Sequence, residues 1–187
     1  MSGRSGPGIW RVARLVAAKD LRIEWHSRVF TNQVLPFAGV TMVIFAFALD
    51  ADVVLERVAP GLVWLATMFS LLVLVQRAFA IETDDGALDA MRVAGIDPRA
   101  IYLGKALGLG AQLLVLELVL LFAAVVLYGQ TVPLESTALL AATLISATCG
   151  LSAVGTLYGG LAAGFRGRET LLPLLTLPAV APVLIGA

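Results

Sequence analysis

The feature that most constrains this chain is a series of apolar runs, several of which reach the roughly 18 residues that a helix needs to cross a bilayer. Because hydrocarbon offers the backbone no water, a spanning segment must be a helix or part of a closed barrel. The runs are long and lack a two-residue alternation, which favours helices. Of the 187 residues, 59% are hydrophobic and 14% are charged, whereas about 25% are charged in soluble proteins. The sequence therefore predicts an all-α, polytopic membrane helix bundle.

Five apolar runs are predicted to cross the membrane within a single membrane domain, residues 1–187. The predicted spans are residues 29–49, 58–80, 99–128, 136–163 and 170–187. Residues 1–28 precede the first span, and the polar residues 81–98 separate the second span from the third. We expect the first span to bend near Pro36, because proline removes a hydrogen bond from the helix.

Residues 1–28 are predicted to form an amphipathic helix at the membrane interface. On a helical wheel Arg11, Arg14 and Arg22 share a face, and apolar residues occupy the opposite face. Two tryptophans lie between these faces, as is typical of aromatic side chains at the headgroup level. A short soluble helix is the alternative interpretation.

The distribution of basic residues predicts the orientation of the chain. If the spans alternate in direction, every lysine and arginine except Arg57 lies on the same side of the membrane as the N-terminus. Cytoplasmic loops carry an excess of these residues. The N-terminus and residues 81–98 are therefore predicted to be cytoplasmic.

Residues 81–98 contain signals for a short helix that lies across the ends of the second and third spans. A helix can be capped at Asp84 or Asp85, and Gly95 suits the left-handed position that follows a helix end. Asp97, followed by a proline, starts the next helix. A solvated loop with incidental charge is the alternative interpretation.

The same segment is rich in acidic residues. These are Glu82, Asp84, Asp85, Asp89 and Asp97. Anionic lipid headgroups would repel such a surface, whereas a basic soluble protein would be attracted to it. The charge therefore favours a docking site for a cytoplasmic partner.

Glu117 falls near the middle of the third predicted span. A charge at that depth costs about 2.5–3.5 kcal/mol on insertion scales, so the side chain is expected to face protein or water, or to be protonated. A role in a transport pathway and a buried contact with another helix or subunit both remain open. The chain has no basic residue at the same depth, so a partner subunit could supply one.

Small and hydroxyl-bearing residues recur inside the predicted spans. Gly104 and Gly108 are four residues apart, as are Gly155 and Gly159, and this spacing lets two helices approach closely. Hydroxyl groups near the second pair can form hydrogen bonds between helices; they belong to Ser146, Thr148, Ser152 and Thr156. We expect ordinary helix packing at these positions.

The sequence contains no recognisable catalytic, metal or cofactor-binding set. His26 is the only histidine and is expected at the interface without a ligand, and Cys149 is the only cysteine. Neither an HExxH motif nor a GxxxxGK[ST] phosphate-binding loop is present. The chain is therefore predicted to be non-catalytic, and any ATP that powers it would be bound by another chain.

Short elements spread over nearly the whole sequence carry a resemblance to a known family. They are Lys19-Asp20-Leu21-Arg22, Ala59-Pro60-Gly61-Leu62-Val63-Trp64, Glu82-Thr83-Asp84-Asp85-Gly86-Ala87-Leu88-Asp89, Leu103-Gly104-Lys105, Leu172-Pro173, Leu177-Pro178 and Pro182-Val183-Leu184-Ile185. With these elements the chain resembles the membrane subunits of ABC exporters of the ABC-2 kind. More narrowly, it is similar to the haem exporter protein B family, the permease subunits of the cytochrome c maturation system.

The resemblance implies a membrane subunit of an ABC transporter in the bacterial inner membrane. A separate cytoplasmic ATPase subunit would hydrolyse ATP, and a haem-handling membrane subunit would complete the complex. Hydrolysis would be coupled to haem handling or to release of a haem-loaded periplasmic chaperone, with haem as cargo and no cofactor or nucleic acid bound by this chain. An ABC-2 permease for another substrate and a non-transporting membrane scaffold are the alternatives.

By position, the resemblance also implies a coupling helix that meets the ATPase between spans two and three. Its predicted residues are Glu82, Asp84, Asp85, Gly86, Leu88, Asp89 and Met91. The family has six spans, whereas five are visible here. The chain is therefore expected to be truncated at its C-terminus.

Overall fold

A computed structural model describes residues 8–49, 52–84, 86, 90–91, 93–130, 134–163 and 168–186. Every element in these ranges is helical, which confirms the all-α class. The α-helices are α1 (Ile9–Ser27), α2 (Leu35–Ala48), α3 (Asp52–Asp84), α4 (Pro98–Tyr128), α5 (Thr137–Ala162) and α6 (Arg168–Gly186). A π-helical turn, Phe30–Val34, precedes α2, and a 3-10 turn, Leu134–Ser136, precedes α5.

Four helical stretches are long and apolar enough to cross a membrane. They are Phe30–Ala48, Arg57–Ala80, Pro98–Tyr128 and Thr137–Ala162. In α6 the described apolar stretch, Leu172–Pro182, is shorter, so a crossing by this helix remains a prediction. The protein is thus a multi-pass helical membrane protein.

Local sequence signals determine where α4 begins and ends. The side chain of Asp97 accepts a hydrogen bond from the backbone N–H of Arg99 at 2.8 Å, and Pro98 occupies the first helical position. The helix ends where Gly129 adopts a left-handed conformation with φ of 63°, which only glycine adopts without a steric penalty. Gly95, with φ of 72°, has the left-handed conformation expected before this helix.

The irregularity expected near Pro36 is a π-helical turn directly before it. In this turn the N–H of Leu35 donates to the carbonyl of Phe30. Proline has no N–H, and its ring crowds the carbonyl four residues earlier in a regular helix. A wider turn at this point accommodates both constraints, so the first span can continue past the proline.

The apolar core lies around α3. The spanning window of this helix is 67% buried, against at most 33% in the other three, because α2, α4, α5 and α6 all contact α3. Leu71, Leu113 and Leu151 are fully buried between α3, α4 and α5. Large apolar side chains elsewhere point outward, such as Phe122, which is 71% exposed. The outward apolar surface suits lipid as the surrounding solvent.

The paired glycines permit two close helix contacts. A Cβ atom at Gly104 would lie 2.6 Å from the Cβ atom of Val16, so α1 is packed directly on the backbone of α4. A Cβ atom at Gly159 would lie 2.5 Å from the ring of Phe79, so a side chain of α3 is packed directly on the backbone of α5. Helix packing is the role expected for both pairs, and larger residues would separate these helices.

Candidate functional site

The helix α1 is amphipathic, and its inner face packs on α4. Ala13, Val16 and Ala17 are buried at this contact. Arginine side chains occupy the exposed face, at Arg11, Arg14 and Arg22. The tryptophans are exposed, Trp10 to 67% and Trp25 to 84%. The arginines therefore face outward as predicted. On the opposite face Val16 packs on protein, whereas Ile9 and Ile23 are exposed, to 38% and 36%.

A buried ion pair joins α1 to α4. The Lys105 side chain is 3% exposed, and its Nζ lies 3.2 Å from Oδ2 of Asp20. The same Nζ donates a hydrogen bond of 2.9 Å to the carbonyl oxygen of Ala78 in α3. It also lies 4.9 Å from the centre of the Phe79 ring. One ammonium group thus contacts both α1 and α3 from α4.

These contacts offset the cost of burying the Lys105 charge. Removing an ammonium from water costs several kcal/mol, and an opposite charge with further hydrogen bonds can offset it. Asp20 supplies the opposite charge, Ala78 a carbonyl dipole and Phe79 the negative face of an aromatic ring. If one partner of such a pair is removed, the other is left as an uncompensated charge, which typically costs about 3–5 kcal/mol.

A second ion pair joins α1 to α3. Oε2 of Glu24 lies 3.1 Å from Nε of Arg77. The other carboxylate oxygen, Oε1, accepts a hydrogen bond of 2.7 Å from the backbone N–H of Phe30. Glu24 therefore also satisfies a donor at the start of the π-helical turn, where the chain leaves α1 and enters the first span.

Both ion pairs involve the helices that flank the segment for which a coupling role was predicted, because α3 leads into that segment and α4 leaves it. Asp84 is the last residue of α3, so Glu82 and Asp84 belong to its final turn. Gly86 is exposed with φ of 64°, and Met91 is half-buried. Three of the predicted coupling residues lie outside the described ranges: Asp85, Leu88 and Asp89.

The described backbone of this segment has helical hydrogen bonds. The N–H of Ala90 donates to the carbonyl of Gly86 at 3.0 Å, and the N–H of Ala94 donates to the carbonyl of Ala90 at 2.9 Å. Both bonds join residues four apart, as in an α-helix. A helical turn therefore lies between α3 and α4.

Glu117 contacts another helix of the same chain. Its side chain is 1% exposed, and Oε2 lies 2.6 Å from Oγ1 of Thr148 in α5. That hydroxyl also lies 2.6 Å from the carbonyl oxygen of Leu144. Oε1 has no hydrogen-bond partner within the part of the chain that is described. Of the environments left open by the sequence, the structure shows a buried contact between α4 and α5.

At the opposite end of the bundle, the contact between α2 and α4 is a neutral one. There the hydroxyl of Tyr128 donates a hydrogen bond of 2.7 Å to the carbonyl oxygen of Met42. A cavity of about 230 Å³ lies nearby, lined mainly by apolar side chains that include Pro60, Trp64 and Leu121. The element Ala59 to Trp64 therefore lines this cavity.

The described residues contain no group of three or more histidine, cysteine or acidic side chains that could hold a metal ion. Nδ1 of His26 lies 2.9 Å from the carbonyl oxygen of Arg22 within α1. Cys149 is free and exposed. Neither residue lies in a ligand-binding arrangement among the residues that the structure describes.

The fold and the outward apolar surface define a multi-pass helical membrane protein, and comparison with known proteins identifies its family. A family model described as CcmB protein matches residues 11–187. The chain therefore belongs to the CcmB protein family.

Several relatives share much of this chain. It is 34% identical over 175 residues to Heme exporter protein B of Rhodobacter capsulatus; the aligned region covers 92% of this chain and 78% of the relative. It is 31% identical over 170 residues to Heme exporter protein B of Paracoccus denitrificans; this region covers 89% of this chain and 76% of that relative. The protein of the same name from Bradyrhizobium diazoefficiens is 31% identical over 152 residues, with 80% and 67% covered. These matches agree with the family resemblance seen in the sequence.

Sequence reasoning did not identify the two ion pairs. Arg77 was counted only as a charge that sets the orientation, whereas Lys105 and Asp20 also entered as parts of family elements. A signal was present, because Lys105 lies inside the apolar run 99–128 and a buried lysine needs a partner. The sequence does not show which acidic residue is the partner of Lys105.

Proposed function

We propose that this chain is the membrane subunit of an ABC transporter complex that acts in haem export for cytochrome c maturation. The observation that carries the proposal is the family match over residues 11–187, together with relatives named Heme exporter protein B. A non-catalytic role is consistent with the lack of a nucleotide-binding motif in the sequence. Haem is then cargo of the complex rather than a cofactor of this chain.

In this proposal two other chains complete the complex in the bacterial inner membrane. A cytoplasmic ATPase subunit hydrolyses ATP, and a haem-handling membrane subunit receives the resulting motion. The N-terminus lies in the cytoplasm. This orientation is supported because every lysine and arginine except Arg57 falls on the same side of the membrane as the N-terminus. Hydrolysis is coupled to haem handling or to release of a haem-loaded periplasmic chaperone.

The ATPase docks on residues 81–98 in this proposal. The predicted contact residues are Glu82, Asp84, Asp85, Gly86, Leu88, Asp89 and Met91. Support comes from the acidic charge of the segment and from its place between two long helices, α3 and α4. A short helix joined to two rigid spans can pass a rigid-body displacement into the membrane. Glu117 serves inside the bundle as the polar contact between α4 and α5.

The proposal is tested by complementation in a bacterium whose own gene of this family has been deleted. The chain is expected to restore haem-stained c-type cytochromes, and to require an ATPase subunit with an intact nucleotide site. A permease for another substrate would leave cytochrome c absent. A scaffold would restore it equally well with an ATPase subunit that cannot hydrolyse ATP.

A further inference from the structure

We propose that Lys105 is the joint through which movement of residues 81–98 reaches α1. It is a positioning residue, because it acts on the arrangement of helices and touches no cargo or nucleotide. This inference rests on the proposed function, since it assigns one step of the coupling route to one side chain.

The first observation is that one ammonium group connects three helices. Lys105 belongs to α4, the first helix after the segment, and it donates to a carbonyl of α3, the last helix before it. The same ammonium group also pairs with the carboxylate of Asp20 in α1. A displacement of α4 relative to α3 must therefore alter a bond to Lys105, and the ion pair transfers that change to α1.

The second observation is that the contact between α1 and α4 is close on both sides of this joint. Gly104 lies next to Lys105 and has Val16 and Ala13 directly against its backbone. One turn further, Gly108 faces Ala17 and Asp20 at ordinary contact distance. Without side chains at the two glycines, α1 lies directly on α4. This close packing brings Asp20 of α1 within reach of Lys105.

The third observation is that the joint extends to α5. The Phe79 ring under the Lys105 ammonium also packs against the backbone of Gly159 in α5. The lysine, the ring and the glycine form a continuous set of contacts from α1 to α5. Coupling between distant parts of a protein is carried by such chains of packed groups with discrete arrangements.

The fourth observation is that the ion pair has room to rearrange. A cavity of about 30 Å³ adjoins it, lined by side chains that include Asp20, Glu24, Lys105 and Gln112. This volume suffices for a water molecule, which needs about 10–15 Å³ of such space and several polar partners. Asp20 and Lys105 can therefore separate by the width of a water without being left against apolar groups alone. Meanwhile Glu24 and Arg77 keep α1 attached to α3.

The test uses the whole complex in lipid nanodiscs, with its ATPase and haem-handling subunits. Spin labels are placed on native Cys149, which is exposed on α5, and on Leu15→Cys, which is exposed on α1. The distance between the labels is measured with and without ATP, alongside the amount of ATPase that co-purifies. The compared variants are Lys105→Met, Asp20→Asn and the double variant Asp20→Ala with Lys105→Met.

In the wild type, ATP is expected to shift the label distance. Lys105→Met and Asp20→Asn should each abolish most of that shift, while the ATPase still co-purifies. The double variant leaves no unpaired buried charge but also lacks the ion pair, so it should still lack the shift, whereas a purely structural role of the pair would let the shift return. The matched control is Lys19→Met, which removes the other partner of Asp20: Nζ of Lys19 lies 3.2 Å from Oδ1 of Asp20, and its side chain is 40% exposed. Because this pair lies within α1 and leaves Lys105 in place, the shift should be unchanged.

The two proposals fail in different ways. If the ATPase co-purifies and the ATP-dependent shift persists in both single variants, Lys105 is not the joint, although the proposed function stands. If the shift is lost in the single variants but returns in the double variant, the ion pair acts only through stability and the joint is again rejected. If no ATPase co-purifies with the wild type, the proposed function fails and the joint with it.

Discussion

The two ends of the bundle are held together by different chemistry. At the α1 end, ion pairs join α1 to α4 and to α3, through Lys105 and Arg77. At the opposite end, a neutral hydrogen bond from Tyr128 joins α4 to α2, beside a large apolar cavity. Ion pairs are directional and depend on their partner, whereas apolar packing adapts to small shifts. We therefore expect the α1 end, rather than the opposite end, to transmit the displacement proposed above.

The first prediction concerns the charged end and has the largest expected effect. Asp20→Ala should destabilise the fold by about 3–5 kcal/mol, because it leaves the buried Lys105 charge without its carboxylate. Unfolding by a denaturing detergent, titrated in mixed micelles, measures the change. The double variant Asp20→Ala with Lys105→Met should recover most of the loss, because the buried charge is gone as well. Equal stability of wild type and Asp20→Ala would remove the basis of the comparison.

The second prediction addresses the close approach that places the ion pair. Gly104→Ala should cost about 1–3 kcal/mol, because the added methyl meets Val16 and the backbone of Ala13. The same titration applies, together with the loss of crosslinking between cysteines placed on α1 and α4. Gly39→Ala is the matched control, since nothing lies within 4 Å of the added carbon there. An equal effect of both variants would show that helix propensity, not packing, is being measured.

The third prediction concerns the opposite end and has the smallest expected effect. Tyr128→Phe removes one neutral hydrogen bond to Met42 and should cost about 0.5–1.5 kcal/mol. ATP hydrolysis by the assembled complex should remain at the wild-type rate, because this end does not carry the movement. A marked loss of ATP hydrolysis in Tyr128→Phe would mean that the two ends are not functionally distinct.

Local features of the fold could be predicted from the sequence, because each depends on neighbouring residues. Asp97 and its following proline start α4, and Gly95 has the backbone conformation expected of it. The apolar runs likewise predicted the helices, since run length is a local property. Pro36 was predicted to disturb the first span, but the form of the disturbance, a π-helical turn, depends on how the surrounding backbone adapts.

The candidate site could not be predicted in the same way, because its contacts join residues far apart in the sequence. Asp20 and Lys105 are 85 positions apart, and Glu24 and Arg77 are 53 apart. Charge counting shows on which side of the membrane such residues lie, but not which residues form pairs. The hydroxyl residues of α5 were expected to bond between helices, and Thr148 does so, yet its partner Glu117 depends on the relative rotation of α4 and α5.

The central claim is that an ATPase docks at the α1 end, on residues 81–98. It is tested most directly by co-purification in mild detergent, comparing the wild type with the double charge reversal Asp85→Lys and Asp89→Lys. The control reverses two charges at the opposite end, Asp52→Lys and Glu135→Lys, and membrane insertion is checked for all three proteins.

We expect an ATPase and a haem-handling membrane subunit to co-purify with the wild type and with the control. The ATPase should be lost from the reversal at residues 85 and 89, although that variant inserts normally. Undiminished ATPase in that variant, or its absence from the wild type, would contradict the account.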